Sequence, residues 1–209
     1  MLFLAAPASA GELIVRIDDG HGKPAGDAVI TAHREGESGF DPHAAGEHAA
    51  ATRIIDQRDE TFIPYVEIFR PGDQVVFRNS DRTRHHVYSF SSAKTFEFVI
   101  APGASTPPVT LDQVGEISVG CNIHDQMITH LFVSDAPWIA RSTADGNAVI
   151  EGLPAGTYIV QVWHPQLRPG KPEPRQTLVV GETQVSAAFS LALLPDPRQG
   201  AGDRERSRY

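Results

Sequence analysis

Seven consecutive residues, Cys121-Asn122-Ile123-His124-Asp125-Gln126-Met127, carry a thiol, an imidazole and a thioether at the spacing C-x-x-H-x-x-M. The cysteine is the only one in 209 residues, and the methionine is the only one besides Met1. Taken singly, a lone Cys reads as a small buried hydrophobe and a lone Met as core filler. Taken together at this spacing they read as metal ligands. A soft thiolate and two imidazoles in a trigonal plane, with a weak axial thioether, make a blue-copper electron-transfer site. That ligand set serves Cu(I) and Cu(II) alike, so little rearrangement accompanies the passage of one electron. A loop between adjacent strands can deliver Cys121, His124 and Met127 together, and the second imidazole must come from elsewhere.

Two histidines upstream are the natural source. Val75-Val76-Phe77-Arg78-Asn79 ends one strand-like run and His85-His86-Val87-Tyr88 opens the next. Neighbouring residues on a strand point to opposite faces, so only one of His85 and His86 can be a ligand. His21, His33, His130 and His164 have no comparable context. His43 and His48 share a loop, where histidines are mostly solvated, and a second ion there is a minor expectation.

The elements that must position these groups are strands. Glu12–Ile17, Asp27–Arg34, Arg53–Gln57, Tyr65–Phe69, Gln74–Arg78, His85–Phe90, Phe96–Ile100, Gly115–Gly120 and Ile128–Val133 alternate or run apolar. After Pro137 the pattern resumes at Asn147–Glu151, Thr157–Trp163, Gln176–Val180 and Gln184–Leu191. Turn chemistry separates them, as at Pro71-Gly72-Asp73 and Asn79-Ser80-Asp81. Short strands at such regular spacing predict an all-β chain of sandwich type. With 18 Gly and 16 Pro and no amphipathic pattern of three turns, a helical fold is excluded.

The net charge of −8 argues against nucleic acid as a partner and favours a basic protein. No apolar run is long enough for a transmembrane helix. Residues 1–10, MLFLAAPASA, read as the back half of an export signal ending in an A-x-A cleavage site. A lone Cys excludes an intrachain disulfide, and in an exported protein a metal thiolate is one explanation for it.

The segment from about Thr52 to Asp135 resembles the cupredoxins, the blue copper proteins of plastocyanin/amicyanin-like type. Phe62-Ile63-Pro64, Pro71-Gly72-Asp73, Phe77-Arg78-Asn79 and His85-His86-Val87 match that family's F-x-P, G-D, F-x-N and H-N-V motifs. The resemblance implies a Greek-key β-sandwich and selects His85 over His86, which stands at the family's Asn. It completes a ligand set of His85, Cys121, His124 and Met127 for one type 1 copper. It also implies that Asn79 hydrogen-bonds across to the cysteine loop and that His124, near the surface, is the electron exit. Ile123 and Arg84 replace prolines common in the family, changes that touch packing and potential more than ligand identity.

A second stretch, Ser142 to Tyr158, resembles the carboxypeptidase regulatory-like fold, a transthyretin-like β-sandwich. Asp145-Gly146 and Gly152-Leu153-Pro154-Ala155-Gly156 carry the match. The opening pieces of that fold stand near the N-terminus, at Val15–Asp18, Gly22-Lys23-Pro24 and Asp27–Ile30. The expected organisation is therefore a sandwich of residues 11–36 and 137–194, interrupted by a cupredoxin domain at 52–135, with a disordered tail over 195–209. The alternative is an N-terminal hairpin that belongs to the cupredoxin sheet.

The function expected is a periplasmic, or otherwise exported, single-electron carrier. Its partner would be a redox protein such as a c-type cytochrome or a periplasmic dehydrogenase, and related sequences are associated with methylamine utilisation. An enzyme is disfavoured, because Cys, two His and Met leave no open position for substrate. A copper carrier or sensor, and a structural sandwich with a vestigial site, are the competing readings.

Overall fold

The computed structural model describes residues 11–36, 49–170 and 172–199. The expected export signal, the His43/His48 pair and the tail beyond residue 199 lie outside the described residues. What is described is built from strands and one 3-10 turn, so the all-β expectation holds. No helix among the described residues is long and apolar enough to cross a membrane. The chain divides into two compact units: residues 11–36 with Ala136–Leu194, and residues 49–135 with 195–199.

The first unit begins with β1 (Gly11–Asp18) and β2 (Val29–Arg34). β1 alternates strictly, burying Leu13, Val15 and Ile17, as a strand covered on one face must. The turns between these strands carry Asp18-Asp19-Gly20, where the Asp carboxylates accept from the backbone N–H of Gly20 and His21.

The second unit follows. β3 (Thr52–Arg58), β4 (Thr61–Ile63) and β6 (Asp73–Asn79) join β9 (Val109–Leu111) in a sheet ordered β4-β3-β6-β9. β5 (Val66–Phe69), β7 (His85–Ser91), β8 (Lys94–Ile100), β10 (Gly115–Cys121) and β11 (His124–Val133) form the other, ordered β5-β11-β10-β7-β8. Their inward residues share one core, including Ile55, Phe77, Val87, Ile117, Val119, Cys121, Met127 and Leu131. Each fully buried aliphatic or aromatic side chain there is worth about 1.5–3 kcal/mol. β4 is too short for its alternation to be visible in the sequence. Of the expected tail over 195–209, residues 195–199 are described. Pro197–Gln199 forms a 3-10 turn, and the Arg198 guanidinium lies 3.4 Å from the centre of the Tyr65 ring, a cation–π contact that anchors it.

The first unit is completed by β12 (Trp138–Arg141), β13 (Asn147–Leu153), β14 (Gly156–Trp163), β15 (Arg175–Val180) and β16 (Val185–Ser190). β1 lies between β13, antiparallel, and β16, parallel. β2 lies between β12 and β14 in a sheet ordered β12-β2-β14-β15. β12 has only partly buried or exposed residues, which explains why its sequence carries no strand signal. The turn before β13 needs Gly146, whose φ of +76° suits glycine and where a Cβ would collide with the Ile17 carbonyl.

Candidate metal centre

β7 and β10 pair so that Cys121 faces Val87. Alternation then puts His85, two residues before Val87, on the same inward face as the thiol. The burial pattern of β7 follows suit: His85, Val87 and Ser89 are buried, while His86 and Tyr88 are not. His86 turns outward and places Nε2 2.6 Å from Glu97 Oε1 on β8. β10 and β11 are joined by a two-residue turn, Asn122-Ile123, with Cys121 paired to His124 across it. A tight hairpin therefore delivers the thiol and the second imidazole side by side.

The three side chains converge. Cys121 Sγ is 3.6 Å from His85 Nδ1 and 4.0 Å from His124 Nδ1, and the three donor atoms lie within 4.8 Å of one another. A metal bonded to nitrogen at about 2.0 Å and sulfur at about 2.3 Å spans N···S gaps of roughly 3.6–3.8 Å. The residues present therefore fit an ion held by two imidazoles and a thiolate. His85 is 0% exposed and Cys121 4%, while the His124 side chain is 17% exposed and reaches the surface. Met127, 1% exposed, lies on β11 in the same hydrophobic core as Cys121.

The loop from Asn79 to His85 is tied from several sides. Asp81 Oδ2 accepts from His85 Nε2 at 2.9 Å, which leaves Nδ1 of that ring to face the thiol. The backbone N–H groups of Asp59 and Glu60 donate to the two Asp81 oxygens at 2.6 and 3.1 Å. Burial pushes the Asp81 carboxyl up, but the His85 ring and these two N–H groups outweigh it and hold the carboxyl below its ordinary 3.8. Asp56 fixes the ends of β3 and β6, pairing with Arg78 and accepting from the Ser80 hydroxyl at 2.7 Å.

Asn79 does not do what the resemblance implied. Its Nδ2 donates to the carbonyls of Thr83 and Ile100 at 2.8 and 3.0 Å, and its Oδ1 accepts from the Asp81 N–H at 2.9 Å. Buried at the end of β6, the amide is used up by its own loop and by β8, so it stiffens the segment that carries Asp81 and His85. The link to the cysteine turn is made by backbone instead: the Asn122 N–H donates to the His86 carbonyl at 3.0 Å.

Sequence reasoning passed over Asp81 and Glu60. The first stands four residues before His85, a spacing that could have flagged it. Glu60, whose Oε1 lies 3.4 Å from His124 Nε2, gives no signal, because it belongs to a different hairpin. His130 is buried against Glu116, its Nδ1 2.9 Å from a carboxylate oxygen, well integrated in the sheet rather than part of the cluster.

No protein-family model matches the chain, and no curated protein matches it in sequence. Among solved structures it is similar to the Cu(I) form of a methionine-to-alanine variant of amicyanin, at 18% identity and a TM-score of 0.38, over 50% of this chain and 99% of that one. A reduced tryptophan-to-tyrosine variant of amicyanin matches over the same shares, at 18% identity and a TM-score of 0.37. Amicyanin from Paracoccus versutus is similar at 13% identity and a TM-score of 0.36, over 50% of this chain and 98% of that one.

Proposed function

We propose that the second unit is a cupredoxin-like domain in which His85, Cys121, His124 and Met127 would hold one type 1 copper. Its role is to carry single electrons between protein partners. The observation that carries this reading is the convergence of Nδ1, Sγ and Nδ1 at metal-spanning distances within one buried end of a sandwich. When bound, copper supplies a one-electron Cu(I)/Cu(II) couple.

The chain's residues do the rest. Burial of His85 and Cys121 keeps water away from the donors. Asp81 fixes the ring of His85 with Nδ1 inward. Strand pairing of β7, β10 and β11 sets the donors in place before any ion arrives, so a change of oxidation state meets a stiff cage. His124, with its outer edge at the surface, is the ring through which a partner would couple.

The partner on this reading is a redox protein with a basic docking face, given the chain's charge of −8. A c-type cytochrome or a periplasmic dehydrogenase, in a methylamine-utilisation setting, fits that description, with the protein exported. The first unit is then a regulatory-like, transthyretin-like sandwich of residues 11–36 and 137–194 into which the copper domain is inserted.

Titration of the protein with Cu(II), followed by visible and EPR spectra, tests the function. One equivalent should raise an intense thiolate-to-copper band that reductant bleaches reversibly. A chain that takes up copper without that band, or not at all, would overturn the reading.

A further inference from the structure

Asp59 and Glu60 form the two-residue turn that joins β3 to β4, between the paired residues Arg58 and Thr61. Both have positive φ, 52° and 55°. A turn of this kind favours Asn-Gly, and a glutamate in the left-handed region carries a conformational cost. Strain of that sort is kept where neighbouring structure over-determines it, and it often marks a working site.

The surroundings of this turn supply a reason. Its two N–H groups grip the Asp81 carboxylate, which in turn holds His85 Nε2. The Glu60 side chain, from the same turn, brings Oε1 to 3.4 Å from His124 Nε2. One tight turn therefore reaches the outer edge of both imidazoles, one through Asp81 and the other directly. His85 is enclosed and would keep its place in any case. His124 is partly exposed, and among the described residues Glu60 is the carboxylate that meets its outer nitrogen.

We propose that the Asp59–Glu60 turn is a common brace for the two imidazoles of the metal centre, with Glu60 as the positioning residue for His124. This rests on the copper reading above. With its Oε1 3.4 Å from His124 Nε2, Glu60 is placed to favour the ring proton on that nitrogen, which presents Nδ1 to the thiol. With an ion in place, the same carboxylate favours the more highly charged oxidation state. The left-handed conformation of Glu60 is the cost of putting that side chain at the ring.

Two glycine substitutions in the full chain separate strain from positioning. Asp59→Gly and Glu60→Gly both relax the turn, and both should raise the thermal midpoint. Only Glu60→Gly should disturb His124. In the metal-free protein at fixed pH, long-range 15N–1H spectra should show His124 as the Nε2–H tautomer in the wild type and in Asp59→Gly. The two tautomers should mix in Glu60→Gly. In the copper-loaded protein Glu60→Gly should raise the reduction potential, a two- to five-fold fall in the Cu(II)/Cu(I) ratio at fixed applied potential, of about the size that an exposed ion pair provides. Glu60→Gln should recover the tautomer, since its amide oxygen still accepts, but keep the raised potential.

If Glu60→Gly leaves both tautomer and potential as they are in Asp59→Gly, the brace is wrong. A thermal midpoint lowered by Glu60→Gly would remove the argument from strain. Absence of a thiolate-to-copper band in the wild type would instead overturn the copper reading alone, because the tautomer comparison is made on the metal-free chain.

Discussion

Each unit buries histidine, and two of these rings, His164 in the first and His85 in the second, are used in opposite ways. In the first, His164 Nε2 donates to the Gly26 carbonyl at 3.0 Å and Nδ1 accepts from the Gln166 N–H at 3.1 Å. Both nitrogens serve the backbone, as does the buried Ser142 hydroxyl, which bridges the Ala25 carbonyl and the Ala28 N–H. In the second, His85 gives only Nε2 to a protein acceptor and turns Nδ1 toward a thiol and another imidazole. Buried polar atoms need partners. A unit that aims three such atoms at one point has a group that could hold a metal ion. Burial of a histidine alone therefore says little about chemistry, and the direction of its second nitrogen says much.

The most severe way to break this contrast is Cys121→Ser. The chain has no other thiol, so the thiolate-to-copper band should vanish completely in visible spectra, while the first unit keeps its own core. Next in size, His85→Ala should weaken copper binding by at least about a hundred-fold, more than the loss of an outer partner usually costs. His86→Ala should stay within about three-fold, since it removes only a partly exposed contact with Glu97. Competition titrations with a copper chelator would measure both. Equal losses would put the strand register off by one.

Leu13→Ala attacks the other side of the comparison. It empties a fully buried position in the first core and should cost that unit about 2–5 kcal/mol. Denaturant unfolding should show the loss, with the copper band unchanged below the transition.

A smaller effect sharpens the contrast through acid. Burial pushes the Glu116 carboxyl up, but the His130 ring and the Ser118 hydroxyl hold it below its ordinary 4.5. A lowered carboxyl stabilises the fold above its unfolded value and loses that contribution as pH falls through the folded one. Glu116→Gln should therefore flatten the loss of stability of the second unit below about pH 4.5, as read from thermal midpoints. An acid limb as steep as in the wild type would show that Glu116 and His130 contribute nothing across that range.

How much of this was legible depended on distance along the chain. Cys121, His124 and Met127 stand within seven residues, and a turn of two residues between paired strands brings the first two together without long-range help. Alternation is a local rule that β7 obeys residue by residue, so it allowed only one of His85 and His86 to face inward, and the resemblance to the H-N-V motif selected the first. Asp81 had a local cue in its spacing from His85, but its grip by the Asp59 and Glu60 N–H groups, and Glu60 itself, were not legible, since they depend on a turn between β3 and β4 meeting a loop 21 residues on. Asn79 was misread for a related reason: a family pattern fixes the residue type, while the local loop decides which carbonyls its amide finds. β4 and β12 escaped because three or four residues give too little alternation to see.

The place of β1 has a consequence for the order in which the chain takes shape. Its neighbours in the sheet are β13 and β16, so Leu13 pairs with Ile150 on one side and Val185 on the other. During synthesis at about 5–20 residues per second, β1 waits on the order of ten to thirty seconds for its last neighbour. Residues 49–135 are contiguous and carry both sheets of their own sandwich, so they can close while the ribosome is still at work. The early strands stay open until the end, with their unpaired edges exposed to other chains. Factors that shield nascent strands should therefore matter most for residues 11–34, long before a metal ion matters at all.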